Sequence, residues 1–504
     1  MPIRRFCAAA FTAIAIVSFA LISACQRNSS TPTPKPVATP HGTTILWHDC
    51  SDGFECASLS VALDSTKPDG AKIVIALIRL PAAAPDKRIG SLLVNPGGPG
   101  ASGVAFVRGS AGDTFSQQIR DRFDIVGFDP RGVGASTPAV RCVDDPGAYI
   151  SGSHGTAVAS DQQNIDRLAD AAFAKSCGDR SGAILGYLSA PHVARDMEQI
   201  RIALGDDQLT YVGFSYGTLL GATYADLFPK TVRALVLDGA IDPSLSPEEQ
   251  GDRQDDGFDQ ALDAFLNDCA DNDGCPFHNG GHPGKAFDDL FDHIEKEPLP
   301  ATTAHDDRKI DIDAAWTAVS AALYSESEGW PRLTKALAQA QKDGDGSGLL
   351  ALEDHYYERS NDGSYSNEFE ANIAINCVDA PRHTTRTPGT PTASTGRATP
   401  TPDATAPPLA SSPCDFWPVA PDRTPGAILA RDAPPILIVG TTGDPAAPYR
   451  EAQALAEQLR SGRLLTYDGE GHTAYGINSC IDKIVDAYLI RLEIPPFGAT
   501  CAAK

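Results

Sequence analysis

Gly213-Phe214-Ser215-Tyr216-Gly217 falls where an apolar run, Leu209 to Phe214, gives way to a helical pattern, Thr218 to Phe228. A strand that runs into a sharp turn with serine at its apex, and restarts as a helix, describes a nucleophile elbow. In a chain this rich in glycine the five-residue pattern alone recurs by chance, so the flanking strand and helix carry much of the weight.

The rest of the chain repeats that rhythm. Lys72 to Leu80, Ser91 to Val94, Phe123 to Phe128, Leu209 to Phe214, Val232 to Leu237, Pro435 to Val439 and Arg463 to Tyr467 read as strands, being short apolar or β-branched runs between turn residues. Val193 to Leu204 has helical spacing just before the elbow strand. This order predicts a mainly parallel sheet flanked by helices. Between about Pro243 and Ala420 the strands stop and helical patterns take over, as at Ala286 to Glu295 and Trp330 to Gln341. We read that stretch as an inserted, mostly helical cap, with Thr, Pro, Ala and Ser dominating a loop over 381–413.

With 504 residues, 42% of them hydrophobic, the chain can bury a sizeable core. Its formal net charge of −24 argues against nucleic acid as a partner. Arg4 and Arg5 followed by an apolar stretch, Phe6 to Ala24, read as an export signal. Ile22-Ser23-Ala24-Cys25 resembles a bacterial lipobox, which implies cleavage before Cys25, acylation of its thiol and a membrane-anchored enzyme on the extracytoplasmic face. The boundaries expected are a signal peptide over 1–24, a tether over 25–44, core over 45–242 and 421–504, and the cap over 243–420. Setting aside Cys7 and Cys25, ten of the 12 cysteines remain, an even number suited to an oxidising compartment. Neighbours in sequence suggest the pairs 50–56, 142–177, 269–275, 377–414 and 480–501, although ten cysteines permit many other connectivities.

An elbow serine needs a base, and the base an acid that orients it. Asp444 follows the strand candidate Pro435 to Val439, and His472 follows Arg463 to Tyr467, so Ser215, Asp444 and His472 stand in the chain order of an α/β-hydrolase triad. Asp468 is the rival acid, but it lies too near His472 in sequence to come from a separate strand end. Asn95 to Gly103, glycine-rich and directly after a strand, is the expected source of an oxyanion hole, with the N–H groups of Gly98 and Tyr216 as donors. Asp129 and Arg131 form a turn in which they are expected to pair. Cys269, Cys275, His278 and His282 imitate a zinc site, and Asp343 to Gly348 a calcium loop. A Cys269–Cys275 bridge and the Asp at position 354, where a calcium loop needs Glu, argue against both, so no metal or other cofactor is expected.

NPGGPGASG at Asn95 to Gly103, FDIVGFDPRGVGAS at Phe123 to Ser136, YVGFSYGTLLGATYADLFP at Tyr211 to Pro229, VRALVLDGAIDP at Val232 to Pro243 and the terminal Gly-His segment together resemble the secreted tripeptidyl aminopeptidases of the prolyl-iminopeptidase-related serine peptidases. The resemblance runs from about residue 45 to the C-terminus apart from the Thr/Pro-rich insertion. It implies an α/β-hydrolase fold and an exopeptidase that releases short peptides from the N-terminus of peptide substrates, through an acyl-enzyme on Ser215. It also implies acidic groups that hold the substrate's free amino terminus, for which Asp379 is the candidate. Relatives often carry Thr three residues after the acid, where this chain has Ala447. A carboxylesterase or lipase on the same triad is the alternative; a non-catalytic surface lipoprotein is a remote one.

Overall fold

The computed structural model describes residues 45–150, 159–304, 306–379 and 411–503. The signal peptide, Cys25, the tether and residues 381–410 of the Thr/Pro-rich loop lie outside the described residues.

Along the described chain the strands are β1 (His48–Asp49), β2 (Glu55–Ala62), β3 (Lys72–Leu80), β4 (Gly90–Asn95), β5 (Phe123–Phe128), β6 (Leu209–Phe214) and β7 (Val232–Asp238). A small separate pair follows, β8 (Leu299–Pro300) with β9 (Lys309–Ile310), and then β10 (Ile436–Gly443), β11 (Gly462–Glu470) and β12 (Ala499–Ala502). The main sheet has the order β1-β2-β3-β5-β4-β6-β7-β10-β11-β12. From β5 to β12 every pairing is parallel, while β1, β2 and β3 form an antiparallel edge. β4, β5 and β6 are buried at every residue, which explains their unbroken apolar sequences: parallel strands covered on both faces have no solvent side.

Successive residues of these strands feed two cores. Leu93, Leu237 and Ile438 join the helices Ala190–Leu204 and Gly217–Leu227 on one face. Leu92, Val236 and Leu437 join Gly103–Thr114 and Ser479–Arg491 on the other.

The insertion is largely helical and has a core of its own, built from residues such as Phe265, Leu290, Leu333 and Leu337. Its long helix Pro247–Asp271 opens on a capping box in which Ser246 and Glu249 satisfy each other's backbone N–H. A later helix, Glu368–Asp379, packs Ala371, Ala374 and Val378 into the main core and so fixes the roof of the cleft to the sheet. Among the described residues the disulfides are Cys50–Cys56, Cys142–Cys177, Cys269–Cys275, Cys377–Cys414 and Cys480–Cys501, so Cys269 and Cys275 are bonded to each other.

Asp129 and Arg131 do not pair. The Arg131 guanidinium forks onto Asp196 at 2.7 and 2.8 Å with both groups buried, whereas the Asp129 carboxylate accepts from Ser102 Oγ and from the N–H groups of Val104 and Ala135. A buried guanidinium needs a planar acceptor facing its fork, and the short turn between the two residues cannot turn Asp129 back to supply one.

Candidate active site

Ser215 sits at the C-terminal end of β6 with φ of 54°, in the left-handed region that a non-glycine residue occupies only when its surroundings hold it there. Three bonds hold it. The Ser215 N–H donates to the Asp238 carbonyl at 2.8 Å, and the Ser215 carbonyl accepts from both the N–H and the hydroxyl of Thr218. The flanking glycines are required by close approach: a Cβ on Gly213 would lie 2.4 Å from the Gly217 carbonyl oxygen. Gly97 is equally constrained from the opposite side, since a Cβ there would lie 2.5 Å from the Phe214 carbonyl oxygen and 2.9 Å from Ser215 Cβ.

Asp444 follows β10 and His472 follows β11, and the two meet. His472 Nδ1 lies 2.8 and 2.9 Å from the two Asp444 carboxylate oxygens. Asp444 also accepts the N–H groups of Ala446 and Ala447 at 3.0 and 2.8 Å, so residue 447 contributes its backbone and no hydroxyl. The rival Asp468 faces Thr442 Oγ1 instead. Burial works against a charged imidazolium, but the Asp444 carboxylate outweighs it and holds the His472 pKa above its ordinary value, with Asp238 adding to the effect. With Nδ1 committed to Asp444, His472 Nε2 is buried and has no hydrogen-bond partner among the described residues, and His472 borders the cavity that Ser215 also lines. Tyr324 packs against His472 in two ways: its carbonyl accepts the His472 main-chain N–H at 2.8 Å, and its own ring meets the imidazole edge-on.

In Asn95-Pro96-Gly97-Gly98-Pro99 the two prolines have no N–H, and the Gly97 N–H is spent on Asn95 Oδ1 at 3.0 Å. Gly98 is therefore the remaining main-chain donor of the turn that follows β4. Tyr216 heads the helix Gly217–Leu227, where first-turn N–H groups have no partner within the helix. Its hydroxyl donates to Asp379, whose other oxygen accepts the Ala190 N–H at 2.9 Å. Asp379 is 3% exposed, and burial pushes its carboxyl up to about 6 against these hydrogen bonds. Asp379 thus stands directly behind the elbow, with both oxygens engaged inside the protein.

Two cavities meet at Ser215. One, about 650 Å³, contains His472 and is walled by aromatic and aliphatic side chains, among them Phe106, Tyr357, Phe369 and Tyr475. The other, about 530 Å³, lies toward Tyr216 and is polar, with Asp242, Gln250, Gln254, Asn376, Asp379 and Arg423. Glu368, on the helix Glu368–Asp379, lines the first; burial and the neighbouring Glu358 push its carboxyl up to about 7. Sequence reasoning missed Glu368 and Tyr324, both contributed by the insertion. Tyr324 closes a helical pattern and so passes for a packing residue, and the one signal for Glu368 is an acidic residue opening a helix.

Residues 90–279 match the model of the alpha/beta hydrolase fold, and residues 403–501 that of the TAP-like proteins. The chain is 39% identical to the serine protease Hip1 of Mycobacterium tuberculosis, over 98% of this chain and 96% of that protein. The chain belongs to the α/β-hydrolase-fold serine hydrolases related to Hip1 and the tripeptidyl aminopeptidases. As a member of this family it is an enzyme. It is also 37% identical to carboxylesterase B of Mycobacterium tuberculosis, over 96% of this chain and 94% of that one, and 30% identical to a tripeptidyl aminopeptidase of Streptomyces lividans, over 91% and 86%.

Proposed function

We propose that this serine hydrolase is an exported exopeptidase that releases short peptides from the N-terminus of peptide substrates through Ser215, His472 and Asp444. The observation that carries the reading is His472, its Nδ1 held by Asp444 and its buried Nε2 without a partner among the described residues, in the cavity that Ser215 also lines. Ser215 Oγ attacks the scissile carbonyl carbon while His472 Nε2 takes its proton. The oxyanion that forms accepts hydrogen bonds from the N–H groups of Gly98 and Tyr216. His472 then returns the proton to the leaving amine, an ester remains on Ser215, and water activated by His472 hydrolyses it.

His472 must reach the departing nitrogen, so the leaving portion occupies the aromatic cavity that His472 borders, and the acyl portion extends toward the polar cavity beside Tyr216. A free amino terminus is a cation near neutral pH, and buried carboxyls are its natural counter-charges. The amino terminus belongs to the acyl portion, so Asp379, which borders the polar cavity with a pKa raised by burial, is the candidate to receive it, while Glu368 borders the cavity of the leaving portion. Digestion of one peptide in free and N-acetylated forms, read by product mass, tests this. Short N-terminal fragments should come from the free form alone, and equal cleavage of the acetylated peptide would refute amino-terminal recognition.

The carboxylesterase reading is favoured by the aromatic wall of the cavity, which suits the alcohol portion of an ester, and by the relative that bears that name. It predicts the reverse ranking, with short-chain aryl esters turned over and all peptides left intact. For the anchor, mass spectrometry of the mature protein should find an acylated Cys25 at the amino terminus, and an unmodified thiol there would refute it.

A further inference from the structure

Asp238 ends β7, the strand between the elbow strand β6 and the acid-bearing β10, and its side chain is fully buried. It touches both halves of the reaction machinery. Its backbone carbonyl accepts the Ser215 N–H at 2.8 Å, while its carboxylate accepts the N–H groups of Ala474 at 3.0 Å and Tyr475 at 2.8 Å, just beyond His472. The next residue closes the joint. The Gly239 N–H donates to the Val439 carbonyl at 3.2 Å, and a Cβ on Gly239 would stand 2.9 Å from His472 Cε1, so the imidazole rests directly on this backbone.

A buried carboxylate with two main-chain donors holds a loop firmly, but two amides can be held equally well by a neutral acceptor. What a neutral acceptor cannot supply is charge. Besides those amides, the charged groups that act most strongly on Asp238 among the described residues are His472 and Asp444, which arrive on the loops after β11 and β10. Burial pushes the Asp238 carboxyl up to about 6 while the two N–H bonds and His472 pull it down, so it is ionised at neutral pH. Its charge in turn favours the protonated form of His472.

We propose that Asp238 is a second carboxylate serving His472: a positioning residue that ties the histidine loop to the nucleophile strand and stabilises the imidazolium formed when Ser215 attacks. The proposal rests on the triad reading given above. Asp444 supplies the direct hydrogen bond and sets the tautomer, and Asp238 adds charge through space and fixes the loop. The sign follows from that charge. The acid limb of the rate profile marks protonation of His472 in the free enzyme, so removing a negative charge beside it should move the limb to lower pH.

The test is kcat/KM and kcat for p-nitrophenyl acetate between about pH 5 and 9 for the parent, Asp238→Asn, Asp238→Glu and Ser215→Ala. Asp238→Asn should shift the acid limb down by about half a unit or more and lower plateau kcat about tenfold or more, with KM for this small ester within about twofold. Asp238→Glu, which keeps the charge but displaces it, should lose kcat with its acid limb where the parent has it. A lowered kcat with an unmoved limb in Asp238→Asn would mean a structural role only and overturn the proposal, as would parental behaviour. Should Asp238→Asn fail to fold, Asp238→Glu decides: a displaced limb or an unchanged kcat there refutes it. Ser215→Ala separates the two claims. Full activity in that variant sinks the triad reading, while an inactive Ser215→Ala beside an unshifted Asp238→Asn sinks this proposal alone.

Discussion

At the residue scale, Asp444 and Gly213 carry contrasting loads. Asp444 fixes His472 with Nε2 toward the cavity, and an amide in its place would favour the opposite tautomer. Asp444→Asn should therefore reduce kcat by about 10³ to 10⁴ with little change in KM, measured on an aryl ester. A loss under tenfold would mean that another group orients the histidine. Gly213→Ala puts a methyl group 2.4 Å from the Gly217 carbonyl oxygen, inside a turn already held in the left-handed region. It should destabilise the fold by about 1–3 kcal/mol and cut kcat as Ser215 moves. An unchanged melting temperature and kcat would show that the elbow yields at no cost.

At the scale of elements, the parallel strands were legible because burial on both faces leaves an unbroken apolar run, as in Leu209 to Phe214. Ser215 and Asp444 could be picked out because each follows such a run, and His472 because it follows the next strand candidate; Ser215 and His472 line one cavity, and Asp444 hydrogen-bonds His472 Nδ1. β2 escaped notice because Ser58 and Ser60 alternate with Leu59 and Val61, the pattern of a half-exposed strand that carries little apolar signal. The helix Ala159–Leu185 is polar over most of its length, and among its residues of described burial those that reach the core, such as Phe173, Cys177 and Ile184, lie in its latter half. The insertion's contribution to the cleft was illegible for another reason: which of its residues face Ser215 depends on how its helices dock. Cys377–Cys414 tethers the end of the roof helix two residues from Asp379. Replacing both cysteines by serine should lower stability by about 2–4 kcal/mol and raise KM for peptides, whereas the same change at Cys50 and Cys56, on the sheet edge, should leave KM unaltered. Equal KM effects from both pairs would detach the roof helix from substrate binding.

For the whole molecule, net charge and buried carboxyls act in the same direction. Burial pushes Asp238 and Asp379 up to about 6, and Glu353, Glu368 and Glu451 up to about 7. An acid whose pKa is higher folded than unfolded favours the native state at low pH, and that advantage fades as pH climbs from the unfolded value near 4 through the folded one. His472, also raised, loses its contribution as pH rises through its folded pKa. With a net charge of −24 adding self-repulsion, the melting temperature should be higher near pH 5 than near pH 8, and salt should narrow the gap by screening the surface part alone. A melting temperature that rises across that interval would contradict the balance. The central claim, acyl transfer through Ser215, is tested most directly by trapping the enzyme with a fluorophosphonate and mapping the adduct by peptide mass. The account predicts one adduct per chain, on Ser215, with complete loss of activity; an adduct elsewhere, or full labelling with activity retained, would contradict it.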